Sequence, residues 1–162
     1  MRLESSKLHE HVEMFADAVT SNGKWKHTKF FIGKYIPEKK LKNAMASYAQ
    51  LSNDEVPLLL IDDTLFGSAK DGLLMTTSNL YYSTLLKPGE TPETGKGCIP
   101  LSDIQSIYFD SDDNKISSIA ASGTIVHINS APFAYLSNKP FTEITALNDL
   151  FSKLSTVGHV DE

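Results

Sequence analysis

Short apolar runs separated by turn residues fill the sequence after Val56, and this spacing constrains the fold more than any other feature. Before Val56 apolar residues recur every three or four positions, whereas after it they form runs of four to six residues. Runs of that length between Gly, Pro, Asn, Asp and Ser are typical of β-strands. The predicted strands are residues 56–61, 72–76, 80–85, 98–101, 104–109, 116–120 and 124–128.

Three helices are predicted around these strands. The first carries Leu8, Val12, Phe15 and Val19 on one face and ends at Ser21-Asn22-Gly23. The second begins at Pro37, which suits a first helical turn because no amide hydrogen is needed there, and it carries Leu41, Ala44, Met45 and Tyr48. The third is opened by Pro140 and carries Ile144, Leu147, Leu150, Phe151 and Leu154.

Seven short antiparallel strands followed by an amphipathic helix predict an α+β fold. We expect the strands to close into a barrel, because a barrel has no free sheet edge, and the last helix to plug its open end. The predicted organisation is a helical extension over residues 1–52, the barrel with its helix over 53–157, and a tail over 158–162. The stretch KPGETPETGKG, residues 87–97, is predicted to be a mobile loop because it is rich in Pro and Gly.

Two segments resemble bacterial pleckstrin-homology-like (PH-like) domains, namely DDTLFGSAKDGLLMTTSNLYY and, further on, IPLSDIQSIYFD. The order of predicted elements over residues 56–154, about two thirds of the chain, also resembles that family. The resemblance implies a seven-stranded antiparallel barrel capped by a C-terminal helix, preceded here by two N-terminal helices. It also implies a binding or scaffolding module, because PH-like domains are generally not enzymes.

The strongest catalytic candidate is Asp62-Asp63-Thr64, which follows an apolar run much as the D-x-D-x-T nucleophile motif of certain phosphatases does. Adjacent residues of an extended chain point to opposite sides, so the two carboxylates are not expected to face one phosphate. No catalytic residue is therefore predicted. The alternative is an enzyme with an unrecognised site, in which Asp62 or Asp63 is buried near His127.

Phosphate-binding and metal-binding motifs are incomplete in this sequence. Residues 67–72 match the glycine spacing of a P-loop, but Leu73 and Leu74 occupy the positions that require Lys and Ser/Thr. His9 and Glu13 lie one helical turn apart, but a zinc-protease motif needs a second histidine where Glu13 stands. Neither a metal nor another cofactor is predicted.

The bulk composition predicts a cytoplasmic protein. The 162 residues include a single cysteine, Cys98, which excludes an internal disulfide, and no run approaches the ~20 apolar residues of a membrane span. No apolar signal core is present near the first residue. The formal charge of −5 is uneven, since residues 1–50 carry nine Lys/Arg against five Asp/Glu and the remainder six against fifteen.

The segment KWKHTKFFIGKY, residues 24–35, is one candidate contact site. Lys24, Trp25, Lys26 and Lys29 are suited to nucleic acid or to an anionic membrane, an alternative function that extends over residues 24–42. The acidic remainder of the chain opposes a polyanion within about 8 Å, so nucleic acid is not the predicted partner. Two other interpretations are that the aromatic side chains pack on the barrel above solvated lysines, or that the segment binds a protein.

A second candidate contact site is the loop that carries Leu65 and Phe66, whose alternative interpretation is core at the end of the barrel. Lys70 is the only lysine among residues 62–72, against three aspartates, so we expect this loop to repel inositol phosphates and predict no phosphoinositide binding. The preferred hypothesis is a non-catalytic module that binds a protein partner through this loop and the basic segment. Self-association is expected if the apolar stripe of the helix over 37–50 is shared between chains.

Overall fold

In the residues that the computed structural model describes, the chain is α+β, with three α-helices and an antiparallel β-structure. The structure describes residues 4–21, 23, 25, 29–86, 93–112, 123–136 and 141–157. The helices are α1 (Ser5–Ser21), α2 (Glu38–Ser47) and α3 (Phe141–Val157). The strands are β1 (Phe30–Ile32), β2 (Pro57–Asp62), β3 (Gly72–Thr76), β4 (Asn79–Leu86), β5 (Glu93–Pro100), β6 (Ile107–Asp112), β7 (Gly123–Ile128) and β8 (Ala131–Leu136). Short 3₁₀ turns cover Gly33–Tyr35 and Leu101–Asp103.

The strands form a five-stranded part, β1 to β5 in sequence order, and a three-stranded part, β6 to β8. β4 joins the two parts, because its last residues Leu85 and Leu86 pair with Tyr135 and Ala134 of β8. The predicted closed barrel is wrong. The pairing of β3 with β4 ends at Ser83, and beyond that residue β8 pairs with the same side of β4. The sheet therefore branches at β4. No pairing between described strands closes the sheet into a barrel.

The predicted helices are confirmed, with small shifts at their ends. Leu8, Val12 and Val19 of α1 are buried as expected. Pro37 lies one position before α2, at its N-cap, and not in the first turn. Within the predicted stripe of α2, Ala44 and Tyr48 are buried whereas Met45 is 40% exposed.

Three stretches of strand do not match the sequence-based predictions. β1 and β8 were not predicted, since β1 has three residues and β8 contains Pro132 and begins exposed. Residues 93–97 of the predicted mobile loop belong to β5. Gly95 and Gly97 resemble turn residues, but a Cβ there would lie 2.1 Å from Leu86 Cδ1 and 2.5 Å from the Tyr82 hydroxyl. These glycines therefore serve packing between strands. Residues 87–92, the predicted strand 116–120 and the predicted tail 158–162 lie outside the described residues.

The core lies on both faces of β2 and β3. Ile61 and Leu73 are opposite each other and pack into the main cluster, which also takes side chains from α1, β1, β6 to β8 and α3. Leu60 and Leu74 form the next pair and pack on the other face against Ala44 of α2. The apolar stripe of α2 thus packs within the chain. The sequence had left open whether two chains share this stripe. None of the helices described is long and apolar enough to cross a membrane.

Candidate functional site

The loop between β2 and β3 carries two apolar side chains at its tip. Leu65 is 85% exposed and Phe66 is 94% exposed, the highest values among the exposed large hydrophobic residues described. The alternative that these residues are core is therefore wrong. Single exposed apolar residues are common on protein surfaces, so the question is how the loop holds this adjacent pair.

Asp62, the last residue of β2, fixes the start of this loop. Its side chain is fully buried, and one carboxylate oxygen accepts hydrogen bonds from the Thr64 amide at 2.9 Å and the Thr64 hydroxyl at 2.5 Å. The other oxygen accepts from Lys40 Nζ at 2.8 Å and lies 4.0 Å from Lys29 Nζ. An aspartate that accepts hydrogen bonds from the residue two positions later forms a local turn, here at the start of the loop.

The Asp62 carboxylate is held in its charged form. Burial raises its pKa, but hydrogen bonds from Lys40 and Thr64 outweigh that effect and lower the pKa below its usual range. A buried carboxylate without such partners would instead take up a proton. The loop is thus built on a stable charged group, and the lysines that hold this group come from the N-terminal part of the chain.

One face of α2 holds the rest of the loop through its backbone carbonyls. Lys40 Nζ donates to the Gly67 carbonyl at 2.9 Å, Asn43 Nδ2 to the Ser68 carbonyl at 2.8 Å and the Ser47 hydroxyl to the Lys70 carbonyl at 2.7 Å. Residues 40, 43 and 47 share a helix face because they are three and four positions apart. Carbonyl groups that loops usually leave to water are thus bound to a regular element.

Two further contacts stiffen the turn itself. Lys29 Nζ donates to the Thr64 carbonyl at 2.5 Å, and the Thr64 hydroxyl accepts the Ser68 amide at 2.8 Å. Gly67 has a φ of +76°, a left-handed conformation that other residues adopt only with strain. The backbone is thus bound from beneath at Thr64 and again at Gly67, and Leu65 and Phe66 are exposed between these two points.

The second aspartate of the pair, Asp63, faces a different environment. Its amide donates to the Asp71 carbonyl at 3.0 Å and its side chain accepts from the Thr84 hydroxyl at 3.2 Å. The carboxylates of Asp62 and Asp63 therefore have separate partners, as the extended chain predicts. The enzyme alternative expected Asp62 or Asp63 to lie beside His127. The carboxylate found 4.0 Å from His127 Nε2 is instead that of Asp110.

The structure brings some of the predicted contact residues together. Lys29 lies under the loop of Leu65 and Phe66, and Lys70 is exposed at the far end of that loop. Trp25 is used for packing. Its ring lies edge to face against Phe15, with the ring centroids 6.3 Å apart, and its Nε1 donates to the Phe30 carbonyl at 2.9 Å. The predicted residues Lys24 and Lys26 lie outside the described residues.

Lys40, Asn43, Ser47 and the structural role of Asp62 were not predicted. The spacing of the three α2 residues is a readable signal that they share a face. Nothing in the sequence indicates that this face binds a loop more than twenty residues away.

A groove of about 490 Å³ lies beside α1 and the start of β2. It is lined by His9, Glu13, Gly33, Lys34, Ile36, Leu41, Val56 and Pro57. Its charged groups are already used, since Glu13 lies 3.7 Å from His9 Nε2 and accepts the Lys34 amide at 3.4 Å, while Lys34 Nζ binds Asp17 at 2.7 Å. In the part of the chain that the structure describes, no three His, Cys, Asp or Glu residues are grouped as metal ligands would be.

A second buried carboxylate, Glu55, precedes β2. It accepts hydrogen bonds from Thr76 Oγ1 at 2.6 Å, Asn79 Nδ2 at 2.8 Å, the Tyr81 hydroxyl at 2.8 Å and the Ser52 amide at 2.8 Å. Burial raises the pKa of Glu55, but these donors outweigh it and lower the pKa to about 2. The group connects the start of β2 to the turn between β3 and β4. We assign it a structural role.

Comparison of the chain with protein-family models, with curated proteins and with solved structures found no match.

Proposed function

We propose that this chain is a non-catalytic, PH-like binding module that recognises another protein through the tip formed by Leu65 and Phe66. The observation that carries the proposal is the combination of two almost fully exposed apolar side chains with a loop whose backbone is bound from beneath by Lys29, Lys40 and α2. An apolar pair held in this way is suited to fill a pocket on a partner.

Rigid presentation matters because association costs conformational entropy. Ordering a mobile loop at an interface subtracts from the binding free energy, whereas a loop that is already fixed avoids that loss. Binding energy at protein interfaces is also concentrated in a few large side chains that enter apolar pockets. Phe66 is the largest exposed side chain on this loop and is the expected centre of the contact.

The charges around the loop favour a protein over a polyanion or an anionic membrane. The loop segment carries three aspartates, Asp62, Asp63 and Asp71, and they are matched in number by Lys70 of the same segment and by Lys29 and Lys40, which contact it. Two of these lysines already bind Asp62 or loop carbonyls. A neutral surface with an apolar centre has no long-range attraction for phosphate groups.

The PH-like resemblance is compatible with this proposal but does not supply its ligand. The chain has antiparallel strands followed by a helix, but the described strands do not close into the barrel that the resemblance implies. Folds host many unrelated functions, so the contact site must be argued from its own residues.

The test is affinity capture with the purified chain, comparing wild type with Phe66→Ser. Met14→Ser is the matched control, because Met14 is an apolar residue 64% exposed on α1. We expect a protein captured by wild type and by Met14→Ser to bind the Phe66→Ser variant at least ~10-fold more weakly, as truncation of a central contact residue usually causes.

The fold of both variants is checked by thermal unfolding, which neither change should shift because both side chains are exposed. Equal capture by wild type and Phe66→Ser would overturn the proposal. Vesicles containing phosphatidylserine form the second arm, and binding of vesicles that Phe66→Ser abolishes would replace the protein partner with a membrane.

A further inference from the structure

Among the strands that the structure describes, three have an outer edge, and these edges differ in how they are covered. β1 is three residues long, too short to pair with much of a second strand. The edge of β6 is occupied by α3, where Asn148 donates from Nδ2 to the Phe109 carbonyl and accepts the Phe109 amide, both at 2.7 Å. The amide side chain of Asn148 thus takes the place of a neighbouring strand.

Within the described residues, β5 is neither short nor covered by a helix in this way. It spans eight residues, and its only ladder among the described strands is with β4. Thr94, Lys96, Cys98 and Pro100 are exposed and the residues between them are half-buried, so no position from 94 to 100 is fully covered. A long strand with a free row of N–H and C=O groups pairs readily with another extended chain.

We propose that β5 is a self-association edge, at which β5 of a second copy pairs in antiparallel orientation and joins two sheets into one. This inference goes beyond the proposed partner-binding tip and uses a different surface. An antiparallel strand pair is self-complementary, since a two-fold axis relates the two strands and each residue contact occurs twice.

Electrostatics selects the register of this pair. In an antiparallel pair, side chains opposite each other lie on the same face of the sheet, and side chains alternate between faces along a strand. A two-fold axis perpendicular to the sheet must therefore pass beside a residue that pairs with its own copy. Two such axes, at Lys96 and at Gly97, pair seven residues of β5. An axis at Lys96 would place two lysines opposite each other, which is destabilising. An axis at Gly97 places Lys96 opposite Cys98 of the second copy and avoids this.

Packing favours the same register. With the axis at Gly97, Ile99 lies opposite Gly95 of the other strand, on the half-buried face of β5. Gly95 has no side chain, and the space beside it holds Leu86, whose Cδ1 would be 2.1 Å from an added Cβ. In this register, Ile99 packs against Leu86 of the other copy. A residue larger than glycine at position 95 would fill this space and exclude the contact.

The experiment measures the dimer dissociation constant by analytical ultracentrifugation, in reducing buffer, for Cys98→Ser as reference and for Cys98→Glu and Cys98→Lys. Position 98 is exposed, so all three chains should fold alike. In the proposed register, a glutamate introduced at this position would face Lys96 of the other copy twice, whereas a lysine introduced there would repel it twice. We expect dissociation constants about thirtyfold apart, with the Cys98→Glu variant the tighter.

Each other outcome overturns the proposal. A mass of one chain, 17.9 kDa, at every concentration excludes the dimer. A dimer that the two charge variants weaken equally, or that neither changes, excludes this register and edge. Phe66→Ser should leave the dissociation constant unchanged, so that failure of the tip and failure of the β5 edge are distinguished.

Discussion

Glu55 precedes β2 and Asp62 is its last residue, and both are buried carboxylates held in the charged form. The donors to Glu55 are uncharged and lie within the segment from residue 52 to residue 81. The donors to Asp62 include Lys40 from α2, and Lys29 lies 4.0 Å away. One carboxylate is thus stabilised by neutral hydrogen bonds alone, and the other by a lysine together with the amide and hydroxyl of Thr64.

The difference separates a structural lock from a support for a surface. The Glu55 network joins β2 to the turn between β3 and β4, and its residues are mostly covered. The Asp62 network joins the N-terminal segment to a loop whose tip is exposed, and the side chains of Lys40 and Lys29 are 22% and 17% exposed. Because they are partly exposed, these lysines can be hydrated when Asp62 is removed, which limits the loss of stability.

The largest effect on stability is expected from Glu55→Gln. The glutamine amide nitrogen cannot accept a hydrogen bond, so it would confront either Asn79 Nδ2 or the Ser52 amide, depending on which oxygen it replaces. Lost bonds to a charged acceptor and buried donors left unpaired should cost about 3 kcal/mol of unfolding free energy. Urea denaturation measures this as a lower midpoint with an unchanged slope.

The control for this variant is Glu38→Gln, which alters an exposed pair with Lys42 and should leave the midpoint unchanged. If Glu55→Gln and Glu38→Gln had the same midpoint, the Glu55 network would not stabilise the fold, and the contrast with Asp62 would disappear.

A smaller loss is expected from Asp62→Ala. Removal of one partner from a fully buried ion pair costs several kcal/mol, but the partly exposed lysines reduce this to about 2 kcal/mol. The double variant Asp62→Ala with Lys40→Met should be less destabilised than the sum of the single variants, because the two groups are in direct contact. Additive losses in urea denaturation would show that the pair does not act as a unit.

The helices were the most predictable part of this fold. Leu8, Val12 and Val19 could be read as one buried face because an amphipathic helix repeats every 3.6 residues. Residues 93–97 of β5 and the whole of β8 escaped prediction for physical reasons specific to their neighbours. Gly97 is required by the Tyr82 hydroxyl across the ladder, and Pro132 lies at the exposed start of its strand. Neither requirement is visible in local sequence.

In the candidate site, the separation of the two aspartates was predictable, whereas the exposure of Leu65 and Phe66 was not. Adjacent aspartates at a strand end indicate that the two carboxylates separate, as Asp62 and Asp63 do. Exposure of Leu65 and Phe66 follows from contacts that no local pattern encodes, such as Lys40 reaching Asp62. Because such contacts join distant parts of the chain, an apolar pair in a loop reads equally well as core.

The smallest effect is a pH dependence that distinguishes the two carboxylates. The folded pKa of Glu55, about 2, is below its unfolded value near 4.3. A lowered folded pKa gives stability that is complete above the unfolded pKa and is lost as pH falls toward the folded pKa. The gap in unfolding free energy between wild type and Glu55→Gln should therefore narrow by about 1 kcal/mol between pH 7 and pH 3.5.

Asp62 still titrates in Glu55→Gln, so its contribution cancels in this difference and only Glu55 is measured. The same experiment with Asp62→Ala isolates the other carboxylate, whose lowered pKa gives a loss of stability of the same sign as pH falls.

The salt dependence of stability then distinguishes the two carboxylates. Added salt screens the partly exposed lysines around Asp62 but acts little on the neutral donors around Glu55, so the wild-type advantage over Asp62→Ala should shrink in high salt while that over Glu55→Gln persists. Equal salt dependence of the two gaps would show that both carboxylates are held by charge.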